Sequence, residues 1–253
     1  MKYTIPQPIG TTNESARHGW VHDRLAAIPA GARLLDAGAG MQRYRANCKH
    51  LEYVAQDFAQ YDGQGDGKGG QVTGWKHDGL DIVSDITAIP EPDASFDAVL
   101  CTEVFEHVPD PISALRELAR LLRPGGTLIL TAPFVSNTHY SPYHFCTGFS
   151  RYFYEQHLAE SGLVVESIDT NGSFFDVLAQ ELRRVPWVAN RYCNRRPGLL
   201  LRAATALTLR GIDRLARHDQ GSDEYLAFGL QVVAHKPAQA AHDTHSEQQK
   251  HAA

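Results

Sequence analysis

Short apolar runs that stop at glycine or polar residues recur along the chain and alternate with longer segments of helical periodicity. The run 33–37 (RLLDA) ends in the turn GAG, and the run 96–101 (FDAVLC) ends in a polar segment. Runs this short and continuous are typical of strands buried on both faces of a parallel sheet. Because helical segments alternate with them over short connections, we predict an α/β fold with a doubly wound, mostly parallel sheet.

The same reasoning predicts seven strands in all. The other five are expected at 52–56, 81–83, 127–131, 164–169 and 226–234, with helices at 13–27, 110–122 and 151–161. Asn13 and Asp110 are the expected N-caps of the first two helices, and Gly162 the expected stop of the third. A glycine-rich stretch, 60–74, has no periodicity and is expected to be a loop.

A chain of 253 residues fits one domain, which we place at 1–237. A basic helical insert is expected at about 173–222, before the last strand, and 238–253 is expected to be a disordered tail because it is polar and aperiodic. The four cysteines are far apart, and neither a secretory signal nor an 18-residue apolar run is seen. A soluble, cytoplasmic protein is therefore expected.

The insert differs sharply in charge from the rest of the chain. Between Glu181 and Arg217 there are nine arginines and two acids, a net charge of +7, which leaves −12 for the remainder of a chain whose overall charge is −5. An acidic main body argues against a nucleic-acid partner. For the insert, three interpretations stay open: a lid over an anionic substrate, a peripheral contact with anionic membrane, or a solvated face over a core helix. On a helical wheel, Arg202, Arg210, Arg214 and Arg217 lie near one face, and Leu200, Ala203, Leu207, Gly211 and Leu215 share another.

Candidate ligand-binding residues follow the predicted strands, where doubly wound sheets hold nucleotide-like ligands. The first strand ends at Asp36, and Gly38 and Gly40 allow a sharp turn close to a ligand. Asp57, at the end of the second strand, is placed to bind two ribose hydroxyls. Asp85 follows the third strand and can accept a bond from an adenine amino group, with Ile86 flanking the ring. Position 43 is arginine, so the third glycine of a dinucleotide fingerprint is missing.

Together these segments resemble the class I S-adenosylmethionine (SAM) dependent methyltransferases of the type-11 group. The resemblance lies in DAGAG, Asp57, SDITAIP, SFDAVLCTEVFEH and LLRPGGTLIL, in this order, over 32–134. It implies a seven-stranded sheet with an antiparallel last strand. It also implies SAM as cofactor, with Gly38 and Gly40 at its methionine end, Asp57 at the ribose and Asp85 at the adenine. Glu103, directly after the fourth strand, is expected at the mouth of the sheet beside the methionine part. Residues 136–184 are similar to methyltransferases of bacterial surface-polysaccharide biosynthesis.

Two sets of residues are candidates to act on the acceptor, the molecule that receives the methyl group. His139 and His144 follow the fifth strand among aromatic residues, and either can be a general base that removes a hydroxyl proton or a residue that only shapes the pocket. Glu103, Glu106 and His107 form E-x-x-E-H, a run similar to one that helps hold magnesium in ubiquinone-pathway O-methyltransferases and small-RNA 2′-O-methyltransferases. We expect no metal and interpret this run as structural.

The sequence thus predicts methyl transfer from SAM to a small-molecule or carbohydrate acceptor, such as a sugar hydroxyl of a surface polysaccharide. One alternative is a magnesium-assisted O-methyltransferase that acts on a quinone precursor or an RNA end. Another is a non-catalytic SAM-binding regulatory protein. The acceptor and the oligomeric state stay open at this stage.

Overall fold

A computed structural model describes residues 7–238, in which one sheet of seven strands carries helices on both faces. The strands are β1 (Arg33–Ala37), β2 (Glu52–Asp57), β3 (Ile82–Val83), β4 (Phe96–Thr102), β5 (Leu122–Pro133), β6 (Val164–Asn171) and β7 (Gly229–His235). The helices are α1 (Asn13–Ala26), α2 (Pro111–Leu121), α3 (Arg151–Glu160), α4 (Phe174–Cys193) and α5 (Leu199–Ala216).

The strand order is β3-β2-β1-β4-β5-β7-β6, and only β7 runs antiparallel to its neighbours. This confirms the predicted doubly wound, mostly parallel sheet and its antiparallel last strand. Because the other strands point the same way, the segments that follow β1, β2, β3, β4 and β5 meet at one edge. The candidate ligand residues of the sequence therefore lie together at the carboxyl edge of the sheet.

The core lies on both faces of the sheet, which explains why the strands read as continuous apolar runs. Leu34 of β1 packs on one face with Leu25 of α1, and Leu35 packs on the other face with Leu118 of α2. Successive residues of a strand point to opposite faces, so a strand covered on both sides has no polar face. This three-layer packing makes the carboxyl edge a rigid platform for the site.

Some element boundaries differ from the sequence prediction. Asn13 is the first residue of α1 rather than its cap, and Thr12 holds the N-cap position without a side-chain bond. Asp110 does cap α2, accepting a bond from the Ser113 amide at 3.0 Å. Strand β5 starts earlier than expected because Leu122 pairs with Phe96 before a register shift. The predicted tail, 238–253, lies outside the described residues except for its first residue.

The basic insert is a pair of helices and not one continuous helix. A capping box between Ser173 and Asp176 starts α4, and Asn194 ends it in a left-handed conformation with φ 49°. Of α5, only Ile212 is buried, and Leu200 and Leu207 are 86% and 70% exposed. The leucine face of α5 therefore faces outward and does not cover a core. Within 7–238 no helix is both long and apolar enough to cross a bilayer.

Candidate functional site

A cavity of about 280 Å³ opens at the carboxyl edge of the sheet, beyond β1, β2, β3 and β4. It is lined by six of the seven residues predicted to bind the cofactor: Gly38, Gly40, Asp57, Asp85, Ile86 and Glu103. The segments after the strands bring these residues together although they are spread over more than 60 positions of sequence. We call this space the cofactor cavity.

The glycine turn after β1 leaves room for the cavity because no side chain fits there. Gly38 and Gly40 have φ of 73° and 51°, in the left-handed region that favours glycine. A Cβ on Gly38 would stand 2.5 Å from the Val104 side chain, and one on Gly40 would stand 2.9 Å from the Trp75 ring. The backbone can therefore approach a ligand closely only with glycine at both positions.

Two carboxylates stand at different places on the cavity wall. Asp57 accepts bonds from the Gly40 amide at 2.9 Å and the Ala59 amide at 2.8 Å, which fix its orientation. Asp85 is fixed in the same way by Thr87, whose amide and hydroxyl both donate to it at 2.8 Å. Because these two side chains are already fixed, their oxygens can accept hydrogen bonds from hydroxyl and amino groups of a ligand without a change of conformation.

Asp36 does not belong to the cavity wall, in contrast to the prediction. It is 2% exposed, and its carboxyl accepts a hydrogen bond from the Tyr53 hydroxyl on the neighbouring strand. Burial raises the pKa of Asp36 to about 7, an effect that the bond from Tyr53 partly offsets. The carboxyl of Asp36 is therefore bonded to the neighbouring strand β2 and does not face the cavity.

Glu103 connects the cofactor cavity with a second cavity. It lies just after β4 with φ 53°, a strained conformation for a residue other than glycine. Its carboxylate accepts from Thr131 of β5 at 3.0 Å and pairs with Arg17 of α1 at 3.0 Å. Both cavities are lined by Glu103, so it stands where their contents would meet.

The second cavity, about 590 Å³, lies between the segment after β5 and the helix α4. Polar residues on its wall include Asn13, Glu106, Asn137, His139, Gln180, Glu181 and Arg184, and apolar ones include Val177, Trp187, Val188 and Phe228. We call it the acceptor cavity. Part of the basic insert, α4, thus roofs a cavity, as the lid interpretation requires, whereas α5 does not line it.

The structure separates the two candidate histidines. His139 lines the acceptor cavity, and His144 lines neither cavity. The ring of His144 lies 5.1 Å from that of His139, and its Nε2 contacts the Ser136 hydroxyl at 3.4 Å. Burial lowers the pKa of both imidazoles, so both are neutral near pH 7. Of the two, only His139 therefore has its side chain on the wall of one of these two cavities.

Hydrogen bonds to the backbone set the tautomers of His139 and His107. Nδ1 of His139 lies 2.8 Å from the Asn137 carbonyl oxygen, and Nδ1 of His107 lies 2.5 Å from that of Tyr143. A carbonyl oxygen only accepts, so each Nδ1 carries the proton and each Nε2 keeps its lone pair. Burial lowers the pKa of His107 to about 3, which keeps that ring neutral as well.

The two lone pairs converge on Glu106. Its Oε1 lies 3.7 Å from Nε2 of His107 and 3.9 Å from Nε2 of His139. Glu106 is 1% exposed, and burial together with the nearby charge of Glu103 raises its pKa. Across the described part of the chain, Oε2 of Glu106 and Nε2 of His107 are among the buried polar atoms that have no hydrogen-bond partner. These three side chains offer ligand atoms within 4.8 Å of one another and can hold a divalent cation.

The glycine-rich loop, 60–74, holds the segment that carries His139. The Tyr140 amide donates to the Gly70 carbonyl at 2.8 Å, and the Gly70 amide donates to the Thr138 carbonyl at 3.0 Å. The Ser141 hydroxyl donates to the Asp66 carboxylate at 2.5 Å, and the Asp66 amide donates to the Ser141 carbonyl at 3.1 Å. The loop has no periodicity in sequence, but in the structure it positions the edge of the acceptor cavity.

Several residues of the site were not identified from the sequence. Arg17, which pairs with Glu103, is on α1, far from every recognised motif. Trp75 lines the cofactor cavity and packs edge-on against Tyr61 and Tyr140. A tryptophan directly after a glycine-rich loop is the one signal that could have pointed to it, since an isolated large aromatic in such a loop needs a packing partner.

Comparison with known proteins agrees with this geometry. Residues 35–130 match the family described as "Methyltransferase domain". The ubiquinone biosynthesis O-methyltransferase of Xanthomonas axonopodis pv. citri (strain 306) is 36% identical over 110 residues, which are 41% of this chain and 44% of that protein. The chain therefore matches less than half of the length of this relative.

Solved structures share the fold at low sequence identity. A geranyl diphosphate methyltransferase in complex with GPP and sinefungin superposes with a TM-score of 0.53 at 15% identity, over 88% of this chain and 77% of that one. Phosphoethanolamine N-methyltransferase 2 of Haemonchus contortus, in complex with SAM, gives a TM-score of 0.50 at 16% identity, over 88% and 53%. Residues 35–130 thus match a methyltransferase domain, and the chain shares the Rossmann-like fold of these solved structures.

Proposed function

We propose that this protein transfers a methyl group from SAM to a hydroxyl oxygen of a small-molecule acceptor bound in the acceptor cavity. The observation that carries the proposal is the junction of the two cavities at Glu103, with the His139 side chain on the acceptor side. A ligand in each cavity would bring its reacting group to this junction. Such alignment is the main requirement of methyl transfer and can contribute about 7–11 kcal/mol to lowering the barrier.

The cofactor cavity offers groups that fit each part of SAM. Asp57 would bind the ribose hydroxyls, Asp85 the adenine amino group, and Ile86 one face of the ring, as the family resemblance implies. The turn with Gly38 and Gly40 would face the methionine part, where a side chain on either glycine would fill the space. When bound, SAM supplies a methyl group on a positively charged sulfur that leaves as a neutral thioether.

His139 has the protonation state of a general base. Its Nδ1 proton is held by the Asn137 carbonyl, so Nε2 is the atom that would take the proton from an acceptor hydroxyl. The lowered pKa keeps this nitrogen unprotonated at neutral pH.

The acceptor is proposed to be a hydroxyl-rich molecule, with the sugar of a surface polysaccharide as the leading candidate. Asn13, Asn137 and Gln180 present amide groups to the acceptor cavity, and Glu181 and Arg184 add charged ends. Amides and carboxylates that converge in this way match the alternating donors and acceptors of a sugar.

A second candidate is metal-assisted O-methylation of a quinone precursor. Two observations favour it: the name of the Xanthomonas relative, and the convergence of Glu106, His107 and His139. A divalent cation held there would acidify an acceptor hydroxyl in place of a base. In that case the Nε2 atoms of the two histidines would be ligands, and His139 could not serve as the base.

One experiment separates these functions. The full chain is incubated with methyl-labelled SAM and panels of saccharides and of phenolic quinone precursors, each with Mg²⁺ or with EDTA. We expect labelled saccharide whose formation survives EDTA. Labelled phenol formed only with Mg²⁺ would support the second candidate. If calorimetry shows that the demethylated product of SAM binds but no acceptor is labelled, the protein is a SAM-binding regulator and the proposed function is wrong.

A further inference from the structure

The outward face of α5 combines exposed leucines with arginines, and we propose that this face lies on the surface of a bilayer that contains anionic lipid. Leu200, Leu207 and Leu215 are 86%, 70% and 60% exposed. Large apolar side chains scattered singly are ordinary on protein surfaces, but a row of them on one helix marks an interaction surface. We call this surface the leucine-arginine face.

Helix geometry shows that these leucines form a single row. Their spacings of seven and eight residues return to the same side of a helix, and the row extends over roughly 22 Å at 1.5 Å per residue. The opposite side of α5, with Leu209 and Ile212, packs inward and includes the only buried residue of the helix. The outward leucines therefore have no role in holding α5 to the protein.

The arginines indicate that the partner of the leucine-arginine face is an anionic surface. The arginine face borders the leucine row: Arg210 and Arg214 lie beside the row along one flank, and all four arginines of that face are exposed. A purely apolar protein partner would meet the leucines but would leave these charges buried and unpaired. The interface of an anionic bilayer suits both kinds of side chain. The leucines can enter the acyl layer, and the arginines can reach the phosphate groups of the lipids. A peripheral contact of this kind needs no membrane-spanning helix.

The contact would also orient the acceptor cavity. Helix α5 packs against α4, whose residues Trp187 and Val188 are exposed by 48% and 38% and line that cavity. A protein lying on α5 would thus hold the helix that roofs the cavity close to the headgroups. This consequence rests on the proposed function, whereas lipid binding by α5 does not.

The test is flotation of the full chain with vesicles of phosphatidylcholine, with and without phosphatidylglycerol. The protein should float with phosphatidylglycerol vesicles, and added salt should weaken binding because the attraction is partly ionic. The variants Leu200→Ser/Leu207→Ser/Leu215→Ser and Arg210→Gln/Arg214→Gln should each weaken binding by about tenfold or more.

Matched controls place the same changes elsewhere on the surface. Lys49→Gln/Arg116→Gln removes two exposed charges, and Tyr152→Ser/Val164→Ser removes two exposed apolar side chains. Both should bind vesicles like the original protein. Calorimetric binding of the demethylated product of SAM checks that every variant is folded, and it also reports failure of the proposed function separately from failure of lipid binding.

Three results would overturn the proposal. In the first, the original protein does not float with phosphatidylglycerol vesicles. In the second, the control variants lose as much binding as the α5 variants. In the third, no lipid binding is found and the leucine variant turns a dimer into a monomer in light scattering. The last result would make the leucine-arginine face an interface between two copies of the chain.

Discussion

Replacing Gly65 by alanine tests whether the glycine-rich loop positions the segment that carries His139, the proposed base. A Cβ at Gly65 would stand 1.8 Å from the Ser141 carbonyl oxygen, and real Cβ atoms essentially never come within 3.0 Å of such an atom. The loop and the segment that carries His139 must therefore separate by more than 1 Å. Displacement of that size at a catalytic group can lower turnover by about 10²-fold.

Gly67→Ala is the matched control in the same loop. Gly67 also has a positive φ, 75°, but a Cβ there would meet nothing within 4 Å. Both variants carry the left-handed strain of about 1–2 kcal/mol, so both should melt at a somewhat lower temperature. Only Gly65→Ala should lose turnover, measured with labelled SAM and the acceptor found in the panel. If the two variants turn over at the same rate, the loop does not position His139.

Three further predictions concern single side chains. His139→Gln should lower kcat by about 10²–10⁴ and leave cofactor affinity unchanged, while His144→Gln should change kcat little; equal losses would contradict the assignment of the base. Asp57→Ala should weaken binding of the demethylated product of SAM by roughly tenfold to a hundredfold in calorimetry, because a hydrogen bond to a charged acceptor contributes about 1.5–3 kcal/mol. Unchanged affinity would mean that the ribose lies elsewhere. The pKa of Asp36 is raised from 3.8 to about 7 on folding, so the folded state holds its proton more tightly and stability should fall as pH rises between these values. Asp36→Asn cannot ionise. Its melting temperature should therefore exceed that of the original protein above about pH 7 and equal it near pH 4. If the difference in melting temperature stays the same across this range, Asp36 is not protonated in the folded protein.

The sheet could be predicted because its strands are covered on both sides. Continuous burial leaves a short apolar run that ends abruptly, and parallel strands place all such ends at one edge. From this alone the sequence brought Gly38, Asp57, Asp85 and Glu103 to one cavity, and the structure has them there. Asp36 lies off the cavity wall, and sequence could not show this because a carboxylate at a strand end looks the same whether it points to a ligand or, as here, to Tyr53 of the next strand.

Features that depend on contacts between distant segments could not be predicted in the same way. The sequence did not show which of His139 and His144 lines the acceptor cavity, because this depends on how the segment after β5 folds. Likewise, Arg17 has no local signal because its partner Glu103 is 86 residues away. The sequence also left open whether the leucines of α5 cover a core, because periodicity reports that a helix has an apolar stripe but not which neighbour covers it.

The histidine cluster shows how the two proposed mechanisms compete for the same atoms. Backbone carbonyls fix the protons of His107 and His139 on Nδ1, so both Nε2 lone pairs face the carboxyl of Glu106. A buried carboxyl beside two neutral imidazoles can be satisfied in two ways, by a proton or by a cation. With a proton, Glu106 is neutral and His139 is available as a base. With a cation, Glu106 is ionised and the same lone pair becomes a ligand. Activity that survives EDTA would therefore indicate both that no metal is needed and that Glu106 is protonated.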